Sequence, residues 1–312
     1  MIQKPLLDRV ASADVAGVAQ SRLTIFAIPK KFEGHVGVIQ RNAIRSWAQL
    51  QPHVDIILFG QDDPELDRIA AEVDARCVPL RMNEHGTPIL ADAFSYVHEN
   101  SNCPVKCYAN CDIVFGTELL EATERLRDAE LGSFLGIGQR STLQVTSEYQ
   151  PDEADRFEQL IQQAAESGEL DSVVCKDYFL YSTGLYSEIP GFLVGRGNWD
   201  NWMVANAKSN GVPVVDLTAQ LTAVHQHHDY THVTGGRRKA YVSGVEAKEN
   251  QALAGGRNLI RGSTATWELS EKGAKRRRLP WLGMVADLPK FVTLLRNLLI
   301  LGYMLASTAL TY

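Results

Sequence analysis

The chain has 312 residues, 45% of them hydrophobic and 22% charged, a balance that excludes a disordered chain and supplies enough apolar surface for a substantial core. Its formal net charge of −6 argues against a general nucleic-acid binder, which presents a basic surplus to phosphate backbones. The five cysteines, at 77, 103, 107, 111 and 175, include no CxxC pair, so neither a disulfide framework nor a zinc ribbon is indicated and a reducing, cytoplasmic setting is expected.

Residues 1–20 carry Asp8, Arg9 and Asp14 without an uninterrupted apolar stretch and read as an N-terminal extension, not a secretory signal. Leu23 to Ile28 is then a short apolar run ending at Pro29. Asp55 to Phe59 is another, ending at Gly60, and Ile44, Trp47 and Leu50 between them recur at helical spacing; together these predict a β-α-β unit. Pro64 to Val73 predicts a second helix, Cys77 to Leu80 a third strand, Pro88 to His98 a third helix and Val105 to Ala109 a fourth strand. Such alternation implies an α/β fold with a mostly parallel sheet covered by helices. Further on, Phe134 to Ile137, Tyr178 to Ser182 and Val214 to Leu217 read as strands and Asp152 to Ala165 as a helix. One main domain at 21–270 is expected, since α/β units of about 250 residues are common.

Three segments carry chemistry. Asn110-Cys111-Asp112 follows the strand Val105 to Ala109, where the carboxyl ends of parallel strands bind ligands; Asp112 there suits Mn²⁺ or Mg²⁺, or simply turns a loop. Gly195 to Trp202 sets Asp200 between Trp199 and Trp202, with Asn201 beside them, just before a helical segment. A carboxylate so placed is a candidate general base for an acceptor hydroxyl, with the indoles stacking on a sugar ring. The plainer alternative is a helix cap with both indoles in the core. The third segment, His225-Gln226-His227-His228-Asp229-Tyr230-Thr231-His232, is dense in imidazole, the commonest transition-metal ligand; it is otherwise a solvated loop. Its HxHxDH-like spelling departs from the metallo-β-lactamase-like hydrolase motif at Tyr230 and comes late in the chain.

In this order the segments resemble the GT-A nucleotide-diphospho-sugar transferase superfamily, in particular uncharacterised bacterial and plant glycosyltransferase-like proteins, from about Leu23 to His232. The resemblance implies a GT-A-like, Rossmann-type sheet and transfer of a sugar from a nucleotide-sugar donor to a glycan or lipid-linked acceptor. The family's acid motif is usually DxD; here Asp112 keeps the metal-facing place and Asn110 loses the first carboxylate. The resemblance further implies a base role for Asp200, a metal-ligand role for His225 or, as second choice, His228, and nucleotide binding near Pro29 and Lys30. Arg140, after Gly136-Ile137-Gly138-Gln139, is placed to pair with the diphosphate. Inactive sugar-nucleotide or glycan binding and a histidine-based metal hydrolase are the alternatives. A nucleotidyltransferase would be expected to carry an early glycine-rich phosphate loop, whereas residues 29–34 hold one glycine.

Residues 271–312 form an appendage. Lys275, Arg276, Arg277 and Arg278 make a basic cluster, and Leu294 to Tyr312 is largely apolar but interrupted by Arg296 and Asn297. A full crossing is not expected; peripheral contact with the inner face of the membrane, or a helix docked on protein, is. No residue pattern bears on oligomeric state.

Overall fold

The computed structural model describes residues 22–228, 239–255 and 264–277. The N-terminal extension, the Tyr230 and His232 end of the histidine segment and the appendage from Arg278 onward lie outside the described residues.

The alternation read from the sequence is present in β1 (Leu23–Ala27), α1 (Gly34–Ala48), β2 (Val54–Phe59), α2 (Pro64–Glu72), β3 (Arg76–Val78), α3 (Leu90–Asn100) and β4 (Val105–Ala109). Local chemistry sets the boundaries. Pro64 occupies the first turn of α2, and Asp63 caps it by accepting the Glu65 N–H at 3.0 Å, so one orphan donor is satisfied where proline has none to offer. The chain continues through β5 (Ile113–Val114), α4 (Glu118–Asp128), β6 (Leu135–Ile137), β7 (Arg140–Leu143), α5 (Ala154–Ser167), β8 (Tyr178–Ser182), α6 (Trp199–Ser209), β9 (Val214–Asp216) and β10 (Ala223–Gln226). A π-helical turn at Lys239–Ser243, α7 (Val245–Leu253), β11 (Trp267–Ser270) and β12 (Gly273–Arg276) follow.

Nine strands form the central sheet in the order β12-β11-β9-β6-β8-β4-β1-β2-β3, the mostly parallel α/β sheet expected. All run the same way except β8, antiparallel to β4 and β6, and β12, antiparallel to β11. Both faces of its centre are buried. Leu23, Ile25 and Ala27 of β1 join one core with Ile56, Leu58, Val105, Cys107 and Leu180. The alternate residue Phe26 joins a second core with Ile57, Phe59, Tyr108, Phe179 and Tyr181. The period of two along each strand sorts the side chains, and burial on both faces explains why these strands read as continuous apolar runs. Phe26 sits edge-on to Phe94 at 5.0 Å and to Tyr108 at 5.5 Å between ring centroids, geometry that adds about 0.5–1.5 kcal/mol per pair beyond simple burial.

A second sheet has three short strands in the order β5-β10-β7. Its core is separate: Val114, Val145 and Val224 pack with Phe157, Leu160, Ile161 and Ala164 of α5. Trp47 of α1 links the two sheets, because its buried indole N–H donates to the Ile113 carbonyl at 3.0 Å.

The boundary expected at residue 271 falls inside the β11–β12 hairpin, which closes the sheet edge. Lys275 pairs with Glu268 at 3.0 Å and Arg277 with Asp216. Hydrophobicity missed the hairpin because β12 is polar and glycine-led, with only Ala274 packed against the core beside Trp267 and Leu269 of β11.

Candidate functional site

The small sheet assembles the site. Asp112 immediately precedes β5, and its carbonyl accepts the Gln226 N–H at 3.1 Å, pinning the acid to β10. His225 lies on β10 between Ile113 of β5 and Thr142 of β7 in register. The sequence placed His225 in a loop; it is a buried strand residue. The strand escaped notice because its polar side chains are satisfied internally. Gln226, fully buried, donates to the Ile39 carbonyl at 2.7 Å and accepts from Asn42 at 3.0 Å.

These constraints bring Asp112, His225 and His228 together, with one potential ligand atom from each lying within 4.8 Å of the others. Asp112 Oδ2 is 3.0 Å from His228 Nε2 and 3.7 Å from His225 Nε2. Burial pushes the Asp112 carboxyl up, but His228, His225 and Arg140 outweigh it and hold the group at about 2. Burial drives the His225 imidazole down to about 4 against the opposing pull of Asp112, so it is neutral near pH 7. Asp112 Oδ1 is buried and has no hydrogen-bond partner among the described residues. An ionised carboxylate with an orphaned oxygen beside two imidazoles fits a divalent cation, since bonds of about 2.1 Å place neighbouring ligand atoms roughly 3.0–3.5 Å apart.

Beside the cluster, Arg140 reaches Asp171 through Nε and Asp177 through Nη1, each at 2.7 Å. Burial lowers its basicity, but Asp177, Asp171 and Asp112 more than restore it, so it stays charged. Asn110 donates through Nδ2 to Asp177 Oδ1 at 2.7 Å. An aspartate at 110 would instead set a second carboxylate against Asp177. Burial, with Asp112 nearby, lifts Asp177 to about 6 in spite of Arg140 and Asn110.

One cavity of about 390 Å³ is lined by Asp112, His225 and His228 and also by Trp199, Asp200 and Asn201. In the Gly195 to Trp202 segment both indoles pack on the core, as the plainer alternative expects. Trp199 begins α6 and packs in the core, 5.2 Å from the Tyr108 ring and 5.3 Å from Phe179, while its edge still borders the cavity. Trp202 packs against Phe192 at 5.4 Å and is absent from the lining of this cavity. The cap position belongs to Asn198, in the left-handed region at φ 80°, a conformation asparagine tolerates. Asn198 makes no side-chain cap, and the Asp200 carboxyl in the first turn meets backbone N–H groups there instead. Burial raises its pKa, and Lys176 and the N–H groups of Asn201 and Asp200 only partly offset this, a direction that strengthens it as a base.

A larger cavity, about 750 Å³, opens at the carboxyl ends of β1 to β3 and is lined by Pro29, Lys30, Phe59 and Gly60. Lys30 lines both cavities, as do Gly195, Arg196 and Tyr241. Gln40 clamps the Lys30 backbone, accepting its N–H at 2.7 Å and donating to its carbonyl at 2.9 Å. The far wall is tied by Glu246, which takes Arg196 Nε at 2.8 Å and Asn83 Nδ2 at 2.9 Å. Gly197 is needed there, because a Cβ would come within 2.8 Å of the Tyr241 carbonyl. Among the described residues no helix is long and apolar enough to cross a membrane.

Sequence reasoning missed Thr142, Asp171, Lys176 and Asp177 as site residues. Asp177 had a legible signal, a carboxylate directly before a strand; Thr142 and Asp171 had none, since only pairing across the small sheet brings them to His225.

No family model matches the chain, and no curated protein matches it in sequence. Among solved structures, S. aureus TarS is similar at 9% identity and a TM-score of 0.44, over 66% of this chain and 37% of that one, so the chain spans little more than a third of TarS. A putative nucleotide-diphospho-sugar transferase from Desulfovibrio desulfuricans G20 is similar at 11% identity and a TM-score of 0.38, over 76% of this chain and 98% of that one. Glucosyl-3-phosphoglycerate synthase from Mycobacterium tuberculosis, solved with Mg²⁺ and uridine diphosphate, is similar at 12% identity and a TM-score of 0.43, over 83% of this chain and 88% of that one.

Proposed function

We propose that the protein is a metal-dependent glycosyltransferase that moves a sugar from a nucleotide-diphosphate sugar to a hydroxyl of a glycan or lipid-linked saccharide. The observation that supports it most is the meeting of the Asp112, His225 and His228 cluster with Asp200 on one cavity, continuous with a larger one at the carboxyl ends of the first strands. The two volumes fall in the range of ligand sites. The nucleoside lies in the larger cavity beside Pro29 and Lys30, and the sugar and acceptor in the smaller. A divalent cation held by Asp112, His225 and His228 would neutralise charge on the diphosphate as it leaves.

The chain's own groups do the rest. Lys30 stands at the mouth of both cavities, placed to meet phosphate. Arg140, already held by Asp171 and Asp177, contributes positive potential from a fixed position. Asp200 accepts the proton of the acceptor hydroxyl as its oxygen bonds to the anomeric carbon, and Trp199 and Asn201 border the space the acceptor fills. By the same proposal the chain works in the cytoplasm, with peripheral membrane contact through residues 275–312.

The test is a thermal-shift panel of UDP, GDP, CMP and dTDP, each with Mn²⁺, Mg²⁺ or chelator, on the full chain and on Asp112→Ala and Asp200→Asn. A metal-dependent shift with one nucleotide is expected, lost in Asp112→Ala. Asp200→Asn is expected to keep that shift while sugar transfer falls about 10²- to 10⁴-fold. Binding without transfer in the unaltered protein would mark a binding module; tight zinc with no nucleotide response would mark a hydrolase.

A further inference from the structure

What the histidine cluster can bind depends on which nitrogen of His225 carries its proton, and two residues outside the cluster decide this. Thr142 stands beside His225 in the parallel register of β7 and β10. Its Oγ1 lies 2.7 Å from Asp171 Oδ2 and 3.0 Å from His225 Nδ1. A threonine hydroxyl has one proton, and an ionised carboxylate can only accept. Asp171, held by Arg140 Nε at 2.7 Å, therefore takes that proton. Oγ1 is left to accept, so His225 must carry its hydrogen on Nδ1 and its lone pair on Nε2.

That lone pair faces Asp112 Oδ2 at 3.7 Å, acceptor against acceptor, beside an Asp112 Oδ1 that is buried without a partner. With His228 Nε2 3.0 Å from the same Oδ2, the three groups form a donor set that a cation can join. The kind of cation follows from the donors. Mg²⁺ favours oxygen ligands and gives up its waters reluctantly, whereas imidazole nitrogen favours first-row transition metals, and two histidines with one carboxylate is a recurrent set for them. Partners that orient a ligating histidine typically matter about ten- to hundredfold to metal affinity.

Building on the metal-dependent reading of the site, we propose that Thr142 and Asp171 are positioning residues that preset His225 to ligate through Nε2, and that the cluster thereby selects a first-row transition dication over Mg²⁺. Long-range proton–nitrogen NMR on the metal-free full chain, with His225 assigned through His225→Gln, is expected to show Nδ1 protonated and Nε2 bare; the opposite tautomer would overturn the proposal. Mn²⁺ binding followed by electron paramagnetic resonance, with Mg²⁺ as competitor, is expected to show Mn²⁺ preferred over Mg²⁺. Thr142→Val should weaken Mn²⁺ by about ten- to hundredfold and Thr142→Ser should restore it. Equal affinities for the two ions, or wild-type Mn²⁺ affinity in Thr142→Val, would overturn it. Donor binding measured on the same samples separates the two ideas. Selective Mn²⁺ binding without any nucleotide response leaves the relay standing and sinks the transferase reading; nucleotide turnover indifferent to Thr142 and to the choice of ion does the reverse.

Discussion

The two sheets differ in what stabilises them. The nine-stranded sheet is held by apolar side chains sorted onto two faces, with Phe26, Phe59, Phe94, Tyr108 and Tyr181 in mutual ring contact on one of them. The three-stranded sheet has a small apolar core against α5, and around it stand Asp112, Thr142, Arg140 and His225, with Thr142 hydrogen-bonded to His225 and Asp171 and Arg140 paired with Asp171 and Asp177. A large sheet tolerates little inside its core but offers a rigid rim. Charged and metal-ligating groups accumulate where strands are too short to demand burial of every side chain. The difference separates stability from chemistry, which makes it testable.

The largest effect is expected from Phe26→Ala. Loss of a fully buried ring in mutual contact with four others should cost about 3–5 kcal/mol, read as a lower urea midpoint. Mn²⁺ affinity of the molecules that remain folded should not change. Altered affinity in step with stability would mean that the sheets do not divide the work.

The next effect concerns pH. His225 has its pKa lowered from 6.5 to about 4, so the unfolded chain binds the extra proton between those values and stability is lost as pH falls through the window. Asp177 is raised from 3.8 to about 6, so the folded chain binds the extra proton there and stability is gained as pH falls. The two oppose each other, and the metal-free protein should show a shallow dependence from pH 6.5 to 4. Asp177→Asn removes the compensating member and should steepen the acid loss by the order of 2 kcal/mol. Parallel curves for the two proteins in urea titrations would refute the opposition.

The smallest is Asn110→Asp, which restores a DxD spelling. A carboxylate in place of the amide that donates to Asp177 should destabilise by about 1–2 kcal/mol and leave metal affinity no better. A gain in affinity with unchanged melting temperature would show instead that Asn110 stands in the metal's reach.

The nine-stranded sheet was legible almost strand by strand through β4, and again at β6, β8 and β9, because strands buried on both faces must be written as apolar runs. The helical spacing of Leu66, Ile69, Ala70 and Val73 made α2 legible to within a residue. Asp112 and Asp200 were legible as candidates from their places after a strand and before a helix. The small sheet and the terminal hairpin were not. Ala223 to Gln226 is half polar, Arg140 to Leu143 begins with a charge, and Gly273 to Arg276 has no apolar face. The first two are strands only because partners distant in sequence satisfy their backbones, and the third because a tight hairpin pairs it with Trp267–Ser270.

Sequence alone determined an alternating α/β chain, an acid at the end of its fourth strand, a second acid between two indoles and a late store of imidazole. Tertiary structure decided that His225 belongs to a strand, that Trp202 does not line the cavity Trp199 borders, and that the Asn110 amide donates to Asp177. It also set the proton on His225, through a threonine and an aspartate 83 and 54 residues away. The division has a physical cause. Apolar burial repeats with the period of its own element and so is written locally, whereas a hydrogen bond or metal ligand is defined by a single partner, whose place along the chain the local pattern does not record.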